Sequence, residues 1–359
     1  MSTSSITIIG LMSGTSLDGL DIALVKFTPG AGAWTYAIEA TRGISYNTEL
    51  RNRLEDAIKL PGDALLAFHA EYGNWLGSQV REFLNDTGAT PNAVASHGHT
   101  IHHRPDLGFT FQLGSPQHLA LACDLPVIGD FRYKDVALGG QGAPLVPIGD
   151  RILFGKYDFC LNLGGISNIS FEQKGKRIAF DIGIANMLLN YLSKGAGFDF
   201  DAGGALARTG IINRPLLQAL DALPYYHMNF PKSTGFEWFK AEVIPVIKQF
   251  QDTPSNYLRT ASEHVAGQIV KQITALRSKA EATVLITGGG ARNTYLMELL
   301  RLKSDSHIQW IIPDSELIDF KEALIFALLG ALQLQGKTNV LASVTGARRD
   351  SCSGIVYYP

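Results

Sequence analysis

The sequence predicts an α/β protein built from two domains. The chain has 359 residues, and at roughly 150 residues per domain this length corresponds to two domains. One order of elements occurs twice along the chain: three predicted strands with a glycine-rich first turn, then a helix. A third glycine-rich turn follows a later strand, and the three turns together suggest a nucleotide held between the two domains.

Composition and charge restrict the class of protein. Hydrophobic residues make up 46% and charged residues 18% of the chain, which is enough to bury a core and excludes intrinsic disorder. The net charge of -2 provides no basic field for nucleic acid or an anionic membrane. The three cysteines form no CxxC pair, so neither a disulfide framework nor a thiolate zinc site is expected. No secretory signal is recognised, and we expect a cytoplasmic protein.

The first copy of the repeated order begins at the N-terminus. Alternating and continuous apolar runs predict strands at 5–11, 20–27 and near 34–42. Apolar residues then recur every three or four positions between 65 and 83, which indicates an amphipathic helix. Asp63 is expected to cap the start of this helix, and Gly88 is expected to end it.

The second copy and the rest of the chain continue the alternation of strands and helices. Strands are predicted at 158–163, 167–172, 177–180, 283–287 and 307–312, and helices through 186–189, at 255–279, and from about 293 and 319. The aromatic segment 223–239 breaks this rhythm, and we expect it to line a cleft. The expected domains are 1–129 and 130–359, with the tail 352–359 able to return to the first domain.

Three glycine-rich turns are the candidate phosphate-binding elements, because such turns direct main-chain N–H groups towards an anion. The first contains Gly14 and is neither a Walker P-loop nor a GxGxxG motif, and a plain hairpin turn is an equally good interpretation of it alone. The candidate nucleotide-binding residues are Ser13, Gly14, Thr15, Ser16, Leu17, Asp18, Gly19, Leu20, Gly164, Gly165, Gly288, Gly289 and Gly290.

Whole segments of the sequence resemble one family. The segments are GLMSGTSLDGLD at 10–21, SHGHTIHHRP at 96–105, GDFRYKDVALGGQGAPLVP at 129–147, NLGGISNI at 162–169, PKSTG at 231–235, TGGGARN at 287–293 and SVTGA at 343–347. In this order they resemble the signature segments of the anhydro-N-acetylmuramic acid kinase family, within the actin, Hsp70 and sugar-kinase superfamily. The resemblance covers essentially the whole chain.

The resemblance implies a fold and an activity. It implies two ribonuclease-H-like α/β domains, as in actin-like ATPases, around an interdomain nucleotide cleft. The implied reaction opens 1,6-anhydro-N-acetylmuramic acid with water and phosphorylates O6 at the expense of ATP. The product would be N-acetylmuramic acid 6-phosphate, in cell-wall sugar recycling. Mg²⁺ is expected mainly on phosphate oxygens, with Asp18 as a candidate protein ligand.

Asp181 is the candidate general base. It follows the predicted strand 177–180, where a carboxylate can accept a proton from water or a sugar hydroxyl, although a helix N-cap is an equally good interpretation of the residue alone. The resemblance favours the base, because the catalytic Asp of the family falls here. The family commonly reads Asp-Thr-Gly-Pro-Gly-Asn, whereas this chain has Ile182, Ile184 and Ala185 at the variable positions, which puts the shape of the loop in question.

Arg132, Glu322 and His97 are the candidate substrate-binding residues. Arg132 could pair with a phosphate or a lactyl carboxylate, or form a surface ion pair with Asp130 or Asp135. Glu322 interrupts an apolar stripe on the last helix, so it belongs either to a solvated face or to the cleft, where the family has a substrate-contacting Glu. The resemblance places His97 in a loop near the substrate.

Two further positions depart from the family pattern. His99 stands where many relatives have Gln, and Phe236 stands where the family usually has Arg, which removes one anion contact. The histidines between 97 and 103 resemble a metal site only superficially, since a catalytic zinc site needs a third ligand and a general base at workable spacing. We expect no transition metal there.

Two rival functions stay open at this point. One is an ordinary sugar kinase that transfers phosphate without ring opening. The other is an actin-like or chaperone-like ATP-binding protein, although the chain lacks a separate peptide-binding region. The expected cofactors are ATP and Mg²⁺, and the expected partner is a small-molecule sugar. Nucleic acid and membrane are not expected, and a homodimer is left open.

Overall fold

The computed structural model describes residues 5–14, 17–30 and 34–359. The chain forms two compact units, Met1–Phe154 with Phe320–Pro359, and Gly155–Asp319. The boundary therefore differs from the expected one at Gly129. The segment after Gly129 belongs to the first unit, since the Phe154 ring packs against Tyr36 at a centroid distance of 5.9 Å.

Strands and helices alternate along both units, so the predicted α/β class is confirmed. The strands are β1 (Ile6–Ser13), β2 (Gly19–Pro29), β3 (Trp34–Ser45), β4 (Ala93–Ser96), β5 (His99–Arg104), β6 (Phe109–Leu113), β7 (Val127–Gly129), β8 (Phe159–Leu163), β9 (Ile166–Gln173), β10 (Lys176–Ile184), β11 (Ala282–Thr287), β12 (Ile308–Ile311) and β13 (Ile355–Tyr357).

The α-helices are α1 (Thr48–Asp56), α2 (Gly62–Thr87), α3 (Pro116–Cys123), α4 (Tyr133–Ala137), α5 (Val146–Leu153), α6 (Asn186–Lys194), α7 (Ala205–Thr209), α8 (Arg214–Asp221), α9 (Phe236–Trp238), α10 (Ile244–Ile247), α11 (Pro254–Leu276), α12 (Thr294–Lys303), α13 (Ser315–Leu334) and α14 (Ala342–Thr345). None of the helices in the described ranges combines the length and the apolar character that crossing a bilayer requires.

The two units contain sheets of the same topology. In the first unit the strand order is β13-β7-β4-β1-β2-β3, and in the second it is β10-β9-β8-β11-β12. In each sheet an antiparallel meander of three strands is extended by two parallel strands beyond its first strand. This is the ribonuclease-H-like arrangement, and its repetition confirms the fold class. In the first unit, β13 adds an antiparallel strand next to β7.

The buried residues of the strands and helices follow the apolar positions of the sequence. All four residues of β4 are buried, which is typical of a central parallel strand with both faces covered. In the second unit, the predicted stripe of α11 lies in the core, including Leu258, Val265 and Ile269. Regular hydrophobic periodicity therefore located these elements correctly.

The predicted starts of two helices, α2 and α13, are wrong, for local reasons. Asp63 does not cap α2; Pro61 occupies the N-cap, and the Asp63 carboxylate accepts a hydrogen bond from the neighbouring N–H of Ala64. Gly88 ends α2 in the left-handed conformation as predicted, with φ of 65°. Helix α13 begins earlier than residue 319, because the Asp314 carboxylate accepts a hydrogen bond from the N–H of Leu317.

A close approach of β1 and α13 in the first unit generates a prediction about stability. A Cβ atom at Gly10 would collide with the carbonyl oxygen of Ala323. We therefore expect Gly10→Ala to lower the free energy of unfolding by about 1–3 kcal/mol or more. In Gly267→Ala, by contrast, the new Cβ in α11 meets no atom within 4 Å, and stability should rise by about 1 kcal/mol. Urea denaturation of both variants tests this, and equal stabilities would contradict it.

Candidate functional site

A row of polar residues crosses the second sheet. Asp181 on β10 is directly opposite Asn168 on β9, Asn168 is opposite Asn162 on β8, and Asn162 is opposite Thr287 on β11. Directly opposed residues of neighbouring strands lie on the same face of a sheet. The pairing therefore places the predicted base in one line with two amide side chains that sequence analysis did not select. Their position on either side of the Gly164-Gly165 turn was the available signal.

Two of the predicted glycine-rich turns meet at the end of this row. Because β8 and β11 are parallel neighbours, the turns that follow them lie at the same edge of the sheet. A Cβ atom at Gly288 would lie 2.9 Å from the Leu163 carbonyl oxygen, and one at Gly290 would lie 2.7 Å from the Leu163 Cβ. Glycine at these two positions is explained by packing between the turns.

The remaining glycines of these turns have no such packing reason. A Cβ atom at Gly164 or Gly165 would make only ordinary contacts of 3.5 Å or more, and one at Gly289 would meet nothing within 4 Å. Gly289 therefore borders open space, whereas Gly164 and Gly165 could take a methyl group without a clash. Gly165 and Gly289 are exposed. Helix α6 begins beside this turn, where the N–H groups of Ala185 and Met187 donate to the Gly165 carbonyl oxygen.

The carboxyl group of Asp181 is held by the segment 232–234. The Thr234 N–H donates to Asp181 Oδ2 at 3.0 Å, and the Ser233 side chain also hydrogen bonds to the carboxyl group. Burial raises the pKa of Asp181 above its usual value, although these hydrogen bonds and the charge of Lys232 lower it. Asp181 lies within β10 rather than after it, and Ala185 occupies the N-cap of α6. The alternative interpretation of Asp181 as a helix cap is therefore wrong.

The departures from the family pattern near Asp181 point away from the polar row. Ile182, Ile184 and Ala185 all belong to the hydrophobic core of the second unit. A bulge between Asp181 and Gly183 interrupts the pairing with β9, and a side chain at Gly183 would collide with the ring of Tyr226. The residues that depart from the pattern thus lie in the core, while Asp181 and Gly183 match the pattern.

In the first unit, Arg132 and His97 form a polar pair. The Arg132 Nε and Nη2 groups both donate to His97 Nε2, at 3.0 and 2.9 Å, and Nη1 donates to the Gly142 carbonyl oxygen at 2.7 Å. Because a guanidinium group can only donate, His97 Nε2 must carry the lone pair. Burial, followed by the charge of Arg132, holds the pKa of His97 well below its usual range, so the ring is neutral.

Arg132 therefore does not form the surface ion pair that was left open. Burial lowers its pKa to about 10, against the opposing effects of Glu322 and Asp135, so it stays protonated near neutral pH. Three of its five N–H donors are used in the contacts above. One donor on each terminal nitrogen remains, which matches the two oxygens of a carboxylate or phosphate.

The loop around Gly142 is fixed by Asp135, which is fully buried. Asp135 Oδ2 accepts a hydrogen bond of 2.7 Å from the Gly142 N–H, and Oδ1 accepts one of 2.7 Å from the Thr345 hydroxyl. Asp135 therefore binds the N–H group of Gly142, and Arg132 binds its carbonyl oxygen. This links the sequence segments 129–147 and 343–347, which the sequence alone did not connect.

Glu322 lies on α13 and is exposed to solvent. Its neighbour Lys321 points into the unit, where its Nζ lies 2.7 Å from the buried carboxylate of Asp150. Burial by the surrounding protein nevertheless raises the pKa of the Glu322 carboxyl, and the charges of Lys321 and Arg132 lower it. The carboxyl group of Glu322 is thus reached by solvent and feels the charge of Arg132.

The first glycine-rich turn starts from a buried hydroxyl network. Ser13 Oγ contacts His99 Nδ1 at 3.1 Å, Tyr46 Oη at 2.8 Å and Tyr72 Oη at 3.2 Å. His99, at the position where many relatives have Gln, thus supports this turn. The Ser13 side chain points into the unit, and so does that of Leu20, which belongs to its core.

The other predicted residues of this turn differ in how much the structure describes of them. Thr15 and Ser16 lie outside the described residues. Asp18 is exposed, while Gly14, Leu17 and Gly19 are partly exposed, and Leu17 has a φ of 60°. In the described ranges, no group of three or more His, Cys, Asp or Glu residues is arranged to hold a metal ion. The assignment of Asp18 to a divalent cation stays a prediction.

The structure thus distributes the predicted residues over the two units. Asp181 and the glycines at 164, 165 and 288–290 come together in the second unit. Arg132, His97, Glu322 and the described residues between 13 and 20 lie in the first unit. Sequence analysis missed the supporting residues, namely Asn162, Asn168, Tyr225, Lys232, Ser233, Thr234 and Asp135.

The burial of His99 generates a prediction about stability and pH. Burial lowers its pKa to about 4, so the unfolded chain binds the proton more tightly than the folded chain. The contribution of His99 is therefore present above about pH 6.5 and is lost as the pH falls towards 4. Between pH 7 and pH 5, the free energy of unfolding should fall by roughly 2 kcal/mol more in the wild type than in His99→Gln. Urea denaturation at both pH values tests this, and identical pH dependence of the two proteins would refute it.

Comparisons with known proteins agree with the signature segments. A model of the family described as anhydro-N-acetylmuramic acid kinase matches residues 6–359. A protein of that name from Gloeobacter violaceus is 36% identical over 364 residues, covering 95% of this chain and 96% of its own length. Its counterpart from Xanthomonas oryzae pv. oryzae is 34% identical over 373 residues, covering 98% of this chain and 97% of its own length. The chain therefore belongs to the anhydro-N-acetylmuramic acid kinase family.

Proposed function

We propose that this protein is an ATP-dependent kinase of 1,6-anhydro-N-acetylmuramic acid. It opens the internal anhydro bond with water and phosphorylates the sugar at O6, giving N-acetylmuramic acid 6-phosphate. Family membership supports the kinase activity on the anhydro sugar. The observation that carries the ring-opening step is Asp181, a partly buried carboxylate with a raised pKa, in line with two glycine-rich turns.

The second unit fits the phosphates of a nucleotide. Main-chain N–H groups at turns without side chains can approach an anion closely. Packing within the protein does not explain glycine at positions 164, 165 and 289. When bound, ATP with Mg²⁺ supplies the phosphoryl group that O6 receives, and Asp18 is the carboxylate that we assign to the cation.

Asp181 is suited to accept a proton from water. Opening the anhydro bridge requires a nucleophile at the anomeric carbon, and a carboxylate within hydrogen-bond reach can remove the proton from that water. Hydrogen bonds from Thr234 and Ser233 orient the carboxyl group. Its raised pKa makes it a stronger base than an exposed aspartate. The departing O6 takes the phosphoryl group, so this step needs no separate acid.

The first unit offers groups for the sugar. The two remaining N–H donors of Arg132 suit the carboxylate of the lactyl side chain. The Glu322 carboxylate can accept hydrogen bonds from sugar hydroxyl or amide groups. The neutral ring of His97 accepts from Arg132 and thereby fixes the plane of the guanidinium group.

The role of Asp181 predicts the effect of one conservative substitution. Asp181→Asn keeps the size of the side chain but cannot accept the proton, so turnover should fall by roughly 10²–10⁴-fold. ATP affinity, measured by calorimetry, should stay unchanged, because the glycine-rich turns are untouched. Asp199→Asn, at an exposed position of the same unit, is the control and should keep full turnover. Full activity of Asp181→Asn would reject this residue as the base.

Isotopic labelling separates ring opening from simple transfer. If water attacks the anomeric carbon, the product formed in ¹⁸O-water carries the label on the anomeric oxygen and none in the phosphate. Mass spectrometry of the product and of its dephosphorylated form locates the label. Label in the phosphate would show that water attacks phosphorus, which contradicts the role assigned to Asp181.

Because packing does not require glycine at position 164, we expect a Gly164 variant that folds but binds ATP poorly. The new Cβ of Gly164→Ala makes only ordinary contacts with the protein, so the melting temperature should hardly change. The methyl group would occupy space that the phosphates need, so the Kd for ATP should rise by about tenfold or more. Gly267→Ala is the control outside the turn. Unchanged ATP affinity of a folded Gly164→Ala protein would show that the phosphates bind elsewhere.

A further inference from the structure

Lys232 is a buried lysine next to the proposed base. Only 7% of its surface is exposed. Its ammonium group lies 4.6 Å from the ring centroid of Tyr225 and 6.0 Å from that of Phe180, and it donates to the Tyr225 carbonyl oxygen at 3.1 Å. Burying a charged ammonium group costs free energy, which one carbonyl oxygen and two aromatic faces offset only in part. An uncharged side chain would fill the same space at lower cost.

Three hydrogen bonds connect Lys232, Tyr225 and Asp181 in a closed ring. The Asp181 N–H donates to the Lys232 carbonyl oxygen at 3.2 Å, and the Lys232 ammonium donates to the Tyr225 carbonyl oxygen. The Tyr225 hydroxyl then donates to the Asp181 carbonyl oxygen at 2.8 Å. Each residue is thus held by the other two, and all of these contacts are within the second unit.

From this ring we infer that Lys232 is a positioning residue, which holds Asp181 in place through Tyr225 and brings a positive charge close to its carboxyl group. The inference rests on the proposed role of Asp181 as the general base. It assigns a function to the PKSTG segment at 231–235, which the sequence only marked as a signature. The lysine does not touch the reacting atoms; it acts through the aspartate.

The charges around Asp181 agree with this role. Lys232 lowers the pKa of Asp181, against the larger effect of burial. The pKa of Lys232 is itself lowered by burial and by Lys271 on α11, and raised by Asp181. Tyr225 stays neutral, because burial raises its pKa. The ring of the neighbouring Tyr226 packs against the His264 ring. His264 Nδ1 lies 2.6 Å from Asp221 Oδ1, so these two groups form a further titratable pair on this side.

Replacing Lys232 by methionine tests the inference, because methionine retains the apolar length but loses the charge. We expect the acidic limb of the kcat against pH profile to move to higher pH, because the charge that lowers the pKa of Asp181 is removed. The pKa of the Asp181 carboxyl, followed by ¹³C NMR and assigned with Asp181→Asn, should rise with it. ATP affinity should not change. Lys240→Met, at an exposed position of the same unit, is the matched control and should leave the limb in place.

Two further variants separate charge from position. Lys232→Arg keeps the charge, so the acidic limb should stay near that of the wild type even if kcat falls. Tyr225→Phe keeps the ring beneath the ammonium group but loses the hydroxyl that holds Asp181, so kcat should fall by about fivefold or more without a shift of the limb. These variants also test the inference if Lys232→Met does not fold. Full kcat of Tyr225→Phe, or an unmoved limb in folded Lys232→Met, would overturn it.

The readouts distinguish this inference from the proposed function. The NMR titration of Asp181 does not depend on turnover. An unmoved Asp181 pKa in Lys232→Met, together with an inactive Asp181→Asn, would overturn the inference and leave the proposed function intact. A raised Asp181 pKa in Lys232→Met, together with a fully active Asp181→Asn, would support the link between the two residues and reject Asp181 as the base.

Discussion

The candidate site depends on one parallel pairing in the sheet, between the first strand of the antiparallel meander and the strand on its other side. In the second unit this pairing joins β8 to β11, so both strands end at the same edge. The two glycine-rich turns must then meet, and the packing of Gly288 and Gly290 against Leu163 shows how closely they do so. The antiparallel strands β9 and β10 carry the register outward to Asp181. A shift of one residue in any of these pairings would turn the Asp181 side chain to the other face.

The polar groups of the site are held by partners that are themselves buried. Asp135 is fully buried and supports the loop that accepts a hydrogen bond from Arg132. Lys232 is almost fully buried and contacts the residue whose hydroxyl supports Asp181. Buried charges cost free energy, but their geometry is strongly restricted, because any displacement leaves a polar group without a partner. These buried contacts therefore fix the orientation of Arg132 and Asp181, although they add little to the stability of the fold as a whole.

The positions predicted to depart from the family pattern lie in the hydrophobic core, at the surface and beside Ser13. Ile182 and Ile184 alternate with Asp181 and Gly183 along β10, and they lie in the core. His99, for which the family resemblance led us to expect an amide side chain, contacts the Ser13 hydroxyl. Phe236 is exposed and packs only at 6.3 Å against the ring of Phe239. Along β10, the alternation of side chains thus separates the core positions Ile182 and Ile184 from Asp181.

The sequence by itself determined the α/β class, most strand positions and the family, because hydrophobic periodicity and long signature segments are local properties of the chain. It also selected Asp181 and the glycines at 164, 165 and 288–290 as candidate site residues. Only the tertiary structure decided where the first unit ends, which glycines are required by packing, and that Arg132 binds His97 and Gly142. The same holds for the ring of Asp181, Tyr225 and Lys232. Tyr225 and Lys232 are seven positions apart in the chain, but Asp181 lies 44 positions before Tyr225. Such contacts have no local signal, since they exist only after distant segments have packed together.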